Sequence, residues 1–214
     1  MLKNKRVLIT AGPTWVPIDD VRVISNTATG ETGLFLAKEA RQRKAHVTLL
    51  LGQGAVHEKR IRGVAFKPFC YFDDLQSSLR KILKQSRFDV VIQAAAVSDY
   101  KVRKVSRHKI SSHKKRLRLE LIPTPKLISL VKEIQPRTIL VGFKYEQGLS
   151  ARALIHEARI LMRSSCAHLV VANTRKKGMY SAYIIGNNGF ISQEIHSKAV
   201  LARTLFNVCE QIIG

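Results

Sequence analysis

The chain has 214 residues, of which 45% are hydrophobic and 7% aromatic, and its formal net charge is +22. This length and composition exclude a disordered chain and favour a globular protein, so we expect one domain spanning residues 1–214. No run reaches the roughly 18 apolar residues of a membrane span, and no signal-peptide segment precedes the first predicted strand. We therefore expect a cytoplasmic protein with no membrane partner.

Hydrophobic patterning predicts buried strands that alternate with helices. The predicted strands are 5–10, 46–51, 64–69, 88–96, 138–143 and 168–172, and the predicted helices are 31–43, 73–85, 126–134, 151–162 and 201–212. A strand with one solvent-exposed face is predicted at 117–122, and a hairpin at 180–195. Strands separated by helices form βαβ units, so the prediction is an α/β fold. It has a doubly wound, mostly parallel Rossmann-like sheet, helices on both faces, and a C-terminal β-hairpin plus helix.

Positive charge is concentrated between residues 101 and 118, which include nine Lys or Arg, two His and no acid. Three interpretations are open: a solvated, flexible loop at 101–116, a lid over anionic small molecules, or a nucleic-acid patch. Surfaces that bind single-stranded nucleic acid interleave aromatic side chains with cations, and this run has only Tyr100 at its border. Nucleic acid is therefore not an expected partner.

Glycine and polar residues follow three of the predicted strands, at 12–14, 94–100 and 142–144. In open parallel sheets, ligands bind beyond the carboxyl ends of the strands. The segment 23–33 adds two glycines, Gly30 and Gly33, ahead of a predicted helix whose free N–H groups suit a phosphate. By itself, however, this segment is equally typical of an ordinary strand-to-helix turn capped by Thr29.

An ordered set of motifs resembles phosphopantothenoylcysteine synthetase (phosphopantothenate–cysteine ligase) in its stand-alone form, without a flavin decarboxylase half. The resemblance covers nearly the whole chain. The motifs are ITAGPT at 9–14, PID at 17–19, VRVISN at 21–26, AAVSDY at 95–100, KISS at 109–112, TPKLI at 124–128, VGFK at 141–144 and VAN at 171–173.

The resemblance implies a ligase that joins 4'-phosphopantothenate to L-cysteine in coenzyme A biosynthesis. A nucleoside triphosphate, CTP or ATP with Mg²⁺, would activate the carboxylate as an acyl-nucleotide and release pyrophosphate. It also implies a homodimer. The alternatives are a basic nucleic-acid-binding protein and a Rossmann-like nucleotide-dependent oxidoreductase. The latter should show G-x-G-x-x-G directly after the first strand, where this chain has Ala11-Gly12-Pro13-Thr14.

The resemblance also implies site residues. Asn26 and Lys109 would be catalytic, and Arg22 with Asn26 would bind phosphopantothenate. The implied nucleotide-binding residues are Gly12, Gly30, Gly33, Ala96, Val97, Asp99, Lys109, Pro123, Thr124, Phe143 and Lys144. An Asn amide can donate to a developing oxyanion without repelling phosphates, an Arg fork can pair with a phosphate, and a Lys acts as a point charge.

Without the resemblance, each of these residues has a plainer interpretation. Asn26 could cap a turn, Arg22 could belong to a surface ion pair, and Asp99 could cap a loop. With the resemblance, Asp99 would contact the base, the sugar or a metal. No metal ligand is identified by the sequence.

Five residues depart from the family pattern: Trp15, Glu31, Leu161, Ser165 and His168. Trp15 stands where an Arg is common in the family. Glu31 suits the start of a helix but would repel a nearby phosphate unless basic residues compensate. The last three stand near positions where fused forms carry two lysines and an acid that read the nucleotide. The sequence therefore leaves open the choice between CTP and ATP, the level of activity, and whether two subunits share a site.

Overall fold

A computed structural model describes residues 1–54, 61–113, 115–176 and 178–214. The strands are β1 (Arg6–Ala11), β2 (Trp15–Pro17), β3 (Val23–Ser25), β4 (His46–Gly52), β5 (Val64–Phe69), β6 (Val90–Gln93), β7 (Tyr100–Val102), β8 (Leu121–Pro123), β9 (Ile139–Tyr145), β10 (Leu169–Lys176) and β11 (Met179–Gly186). The helices are α1 (Glu31–Gln42), α2 (Phe72–Gln85), α3 (Leu127–Ile134), α4 (Ala151–Ser165) and α5 (Lys198–Ile213).

Seven strands form one sheet in the order β11-β10-β9-β6-β1-β4-β5, and only β11 runs antiparallel to its neighbour. One core cluster joins α1 and α5 to one face of the sheet, and a second joins α2, α3 and α4 to the other face. The predicted doubly wound α/β fold is confirmed. The chain reverses its direction of winding between β1 and β6, which is where such sheets bind ligands.

The local sequence explains the main elements. All four residues of β6 are buried between parallel neighbours, as expected for a continuous apolar strand. In α2 the buried side chains Leu75, Leu79 and Ile82 repeat at helical spacing. The carboxylate of Asp74 accepts the N–H of Tyr71 at 2.9 Å, so an acid in the first turn stabilises the start of this helix.

The strand predicted at 117–122 forms only at its end, because regular pairing begins at Leu121 in the three-residue strand β8. Leu117, Leu119 and Leu121 are 48%, 36% and 45% exposed, respectively. β8 pairs with β7 in a separate two-stranded sheet. Alternating leucines indicate that a strand could bury one face, but they do not show that another layer exists to cover that face.

The hairpin predicted at 180–195 is only partly confirmed, because the regular antiparallel pair before the last helix is formed by β10 and β11. The segment predicted as its second arm makes only the isolated bridges Ala182–Ile195 and Ile185–Ile191. The N–H of Ile184 donates to the hydroxyl of Ser192 at 2.9 Å, so a side chain takes the place of a backbone acceptor.

Candidate functional site

The loops after β1 and β6 are hydrogen-bonded to each other where the chain reverses its direction of winding. The N–H of Ala96 donates to the carbonyl of Gly12 at 2.9 Å, and the N–H of Thr14 donates to the carbonyl of Ala96 at 3.2 Å. Gly12 has a φ of 82°, in the left-handed region, and a Cβ there would lie 3.0 Å from the Gly52 nitrogen. Glycine at position 12 therefore satisfies both a backbone conformation and a close approach.

Asn26 reaches the same point from a different part of the chain. The β2–β3 hairpin folds back, and Asn26 Nδ2 donates to the carbonyl of Ala96 at 3.0 Å. Because a carbonyl only accepts, this contact turns the amide NH₂ toward Ala96 and leaves its second N–H and the Asn26 Oδ1 for other partners. Asn26 does not cap α1, whose N-cap is Gly30. Thr29 is not the N-cap either.

Arg22 and the basic loop both contact Asp19, which is not among the site residues implied by the sequence. The Arg22 Nη1 lies 3.2 Å from a carboxylate oxygen of Asp19 and 3.1 Å from the carbonyl of Ile110, next to Lys109. Asp19 is buried, so this is not a surface ion pair. Lys109 is exposed and makes no salt bridge within the described residues.

Asp99, Pro123 and Thr124 come together through the β7–β8 sheet. Tyr100 pairs with Pro123, and the N–H of Thr124 donates to the Asp99 carbonyl at 2.9 Å. The Thr124 hydroxyl donates to the Ser98 carbonyl at 2.6 Å, so this buried side chain braces the loop. The exposed carboxylate of Asp99 forms an ion pair with Lys126 at 2.6 Å. Asp99 thus faces solvent at the edge of the site and does not cap the loop.

Phe143 and Lys144 lie toward the carboxyl end of β9, beside β6. Phe143 packs against the core cluster shared with α1 and α5, whereas Val97 packs against the cluster on the opposite face. Lys144 contacts Glu146 at 2.7 Å and Glu157 at 3.7 Å. Burial acts to lower the pKa of Lys144, but these two acids outweigh it and the pKa is raised, which keeps the ammonium group charged.

The two glycines at the start of α1 have different roles. Gly30 has a φ of 73° and forms the N-cap. Gly33 is buried against β1, and a Cβ there would lie 2.1 Å from the Cβ of Ala11. The geometry assigns Gly33 to helix–sheet packing and leaves Gly30 as the ligand-facing candidate. Glu31 forms an ion pair with Lys198 at the start of α5. A basic residue distant in sequence therefore offsets the carboxylate.

The departures on and after α4 do not present a nucleotide-reading group at the carboxyl ends of the strands. Leu161 packs beneath Gly142, and the Ser165 hydroxyl donates to the Leu161 carbonyl at 2.6 Å. The Nδ1 of His168 accepts the N–H of Leu140 at 3.2 Å, and its ring lines a cleft of about 460 Å³ at the amino ends of the strands. Burial, with the nearby Lys132, lowers the pKa of His168.

Trp15, where an Arg is common, lines a smaller pocket of about 250 Å³ beside the β2–β3 hairpin. The backbone N–H of Trp15 donates to the Cys70 carbonyl at 2.9 Å, and Trp15 forms an isolated β-bridge with Tyr71. The remaining wall includes Asp73 and Lys101. An aromatic ring thus replaces a cation at this edge of the site.

Residues 1–54, 61–113, 115–176 and 178–214 lack two kinds of feature. No group of three or more His, Cys, Asp or Glu side chains among those residues could hold a metal ion. Within the same ranges, no helix combines the length and apolar character that crossing a membrane requires.

The architecture and the loops at the carboxyl ends of the strands define an α/β fold of the doubly wound class with a candidate site where the winding reverses. The family model described as the DNA/pantothenate metabolism flavoprotein C-terminal domain matches residues 2–212. The chain belongs to this family.

Among curated proteins, the coenzyme A biosynthesis bifunctional protein CoaBC of Thermococcus kodakarensis is 42% identical over 175 residues, covering 82% of this chain and 42% of that protein. CoaBC of Borreliella burgdorferi is 29% identical over 212 residues, covering 97% of this chain and 53% of that protein. The chain therefore spans about half the length of the curated relatives it matches.

Solved structures agree with the fold. The DNA/pantothenate metabolism flavoprotein of Streptococcus pneumoniae superposes with a TM-score of 0.86 at 24% identity, covering 97% of this chain and 99% of that one. The C-terminal domain of a CoaBC protein gives 0.80 at 25% identity, covering 99% and 97%. A Cab2 mutant in complex with phosphopantothenate-cysteine gives 0.79 at 18% identity, covering 99% and 88%.

Proposed function

We propose that this chain is a phosphopantothenate–cysteine ligase of coenzyme A biosynthesis, acting in the cytoplasm. Its family and its CoaBC relatives support this assignment. The observation that carries the proposal is the orientation of the Asn26 amide. Its NH₂ group donates one hydrogen to the Ala96 carbonyl, and the second hydrogen remains available for a ligand. This amide lies where the chain reverses its direction of winding, between β1 and β6. A neutral, pre-oriented donor in that position suits a carbonyl that develops negative charge.

The proposed reaction has two steps. A carboxylate oxygen of 4'-phosphopantothenate attacks the α-phosphorus of CTP or ATP, and pyrophosphate leaves. The amine of cysteine then attacks the acyl carbon, the nucleoside monophosphate leaves, and an amide forms. Both steps depend on charge stabilisation and positioning, and neither requires a protein nucleophile.

The basic side chains suit the anionic substrates. Arg22, held at one nitrogen by Asp19, can offer its remaining N–H groups to the phosphate of phosphopantothenate. Lys109 is exposed and can meet the triphosphate. Mg²⁺ binds few protein groups when it arrives with a triphosphate, so the single exposed carboxylate of Asp99 fits as its protein ligand.

The alternative oxidoreductase would need a glycine-rich turn that leads from β1 directly into a helix. Here the hairpin of β2 and β3 separates β1 from α1. That connection gives no dinucleotide-phosphate turn after the first strand, and the geometry favours the ligase.

We expect pyrophosphate release that requires phosphopantothenate, measured with cysteine and Mg²⁺ and with CTP or ATP. Lys109→Gln should lower this rate about 10- to 100-fold, since it removes one charge from the triphosphate site. Lys104→Gln is the matched control because Lys104 is an exposed lysine of the same loop. Release without phosphopantothenate, or equal effects of the two substitutions, would contradict the assignment. A preference for one nucleotide would identify the co-substrate.

We also propose a homodimer. The two small sheets and the segment before β8 expose apolar side chains that a monomer normally covers. These side chains are Val21, Val23, Ile24, Leu117, Leu119 and Leu121. The contact between β2 and β7 places the two small sheets side by side, so a second copy could cover them together.

Sedimentation should detect this dimer directly. Leu119→Lys combined with Leu121→Lys should shift the protein to monomer, because a desolvated interface does not accommodate two unpaired cations. Ile160→Lys is the matched control, since Ile160 is 42% exposed on α4, away from the small sheets. A monomeric wild type, or a double variant that stays dimeric, would refute the interface.

A further inference from the structure

The turn between β2 and β3 contains a buried carboxylate whose contacts extend beyond Arg22 to the basic loop. The side chain of Asp19 has no exposed surface. Its Oδ1 accepts the N–H groups of Val21 at 3.0 Å and Arg22 at 2.8 Å, which closes the turn. Its Oδ2 accepts the N–H of Ile110 at 3.0 Å, 91 residues away, and the Arg22 Nη1 at 3.2 Å.

Two more hydrogen bonds attach the basic loop to this turn. The Arg22 Nη1 donates to the Ile110 carbonyl at 3.1 Å, so both polar groups of the Ile110 backbone are held. The N–H of Ser106 donates to the Ile18 carbonyl at 3.1 Å. Consecutive Cα atoms are about 3.8 Å apart, so fixing Ile110 also fixes the backbone of Lys109.

The charge on Asp19 suits this arrangement. The hydrogen bond from Ile110 is the main factor that lowers the pKa of Asp19, and burial opposes it. The N–H groups of Val21 and Arg22 and the Arg22 charge add to the lowering. The group therefore stays ionised and keeps four donors at its two oxygens. Among the described contacts, Asp19 is the one carboxylate of the turn that contacts both Arg22 and the basic loop.

We infer that Asp19 is a positioning residue, which fixes Arg22 and the backbone of Lys109 on one support so that both cations meet the substrate anions in a set geometry. This role rests on the proposed function. A side chain shared by two binding residues couples their positions. Losing it should therefore misplace both at once, although Asp19 itself touches no substrate.

Asp19→Asn is the sharpest substitution. One amide oxygen can still accept from Val21 and Arg22, but the new NH₂ group faces the N–H of Ile110 and the Arg22 guanidinium, which are both donors. Ile110→Pro breaks the same connection from the other side, because proline has no N–H, and it leaves Asp19 and Arg22 in place. If Asp19→Asn does not fold, Ile110→Pro supplies both measurements below.

The first measurement needs no activity. Trypsin should cut after Arg107 at least about 10-fold faster in either variant, because cleavage reports the population of an opened loop. Cleavage after Lys109 is measured only in Asp19→Asn, since trypsin does not cut before the proline of the other variant. Cleavage after Lys176, at the end of β10 and two strands away from β6, is the internal control and should not change. Unchanged cleavage in the loop of a folded variant would overturn the inference.

The second measurement is kinetic. Asp19→Asn should lower kcat for pyrophosphate release about 10- to 100-fold, the cost of misplacing groups near the reacting atoms. In a Lys109→Gln background, the same change should cost less, since one of the two positioned groups is already absent. Equal losses in both backgrounds would show a general structural effect and overturn the inference. A wild type without pyrophosphate release would refute the ligase alone, while the trypsin result would still decide the role of Asp19 in holding the loop.

Discussion

Asn26→Asp should abolish amide formation while the protein stays folded, with a loss of at least about 100-fold in turnover. The substitution puts a negative charge beside a phosphoanhydride. It also replaces the NH₂ group that donates to the Ala96 carbonyl with an oxygen that repels it. Asn26→Ala removes the donor without adding charge and should lose less. The measurement is phosphopantothenoylcysteine formation, with thermal unfolding recorded on the same samples.

Asn187→Asp is the matched control for this experiment. Asn187 is exposed in the turn after β11, so the same change in charge occurs outside the proposed site. We expect wild-type turnover from that variant. Wild-type turnover from Asn26→Asp would remove Asn26 from the mechanism.

Gly33→Ala should destabilise the fold by about 1–3 kcal/mol, as overpacking does in other cores. The new Cβ would overlap the Cβ of Ala11, so α1 would have to move away from β1. Adding Ala11→Gly should recover part of the loss, because it removes the atom that the new methyl group meets. Urea unfolding of the two single variants and the double variant gives this coupling energy directly.

The KM and the free energy of unfolding of the Gly33→Ala variant together separate two roles for Gly33. A glycine that only lets a ligand approach would change the KM for the nucleotide and leave the free energy of unfolding unchanged. A packing glycine does the reverse. Additive effects of Gly33→Ala and Ala11→Gly on stability would contradict the packing role.

The buried elements could be predicted from the sequence because their apolar residues are consecutive or follow helical spacing. β6 and α2 are examples, and their burial follows the predicted pattern. The candidate site could be placed at the carboxyl ends of the strands, because the predicted order of strands and helices largely determines which loops meet.

The rest depended on contacts between distant residues. β2 and β3 have three residues each, too few to show a period. The bond from Ile110 to Asp19 and the ion pair of Lys198 with Glu31 join residues 91 and 167 positions apart. The Asp19–Arg22 spacing was the one local signal, since an Asp often accepts from the backbone two or three residues later.

The ends of the described chain also meet. The N–H of Leu2 donates to Glu210 in α5 at 2.8 Å, and Arg43 at the end of α1 contacts the same carboxylate at 3.0 Å. Leu2 precedes β1, so it lies at the amino ends of the strands, opposite the loops with Gly12 and Asn26. A polypeptide joined ahead of Leu2 would leave from the side away from those loops. A segment attached there would therefore leave the loops with Gly12 and Asn26 uncovered, whatever its own fold.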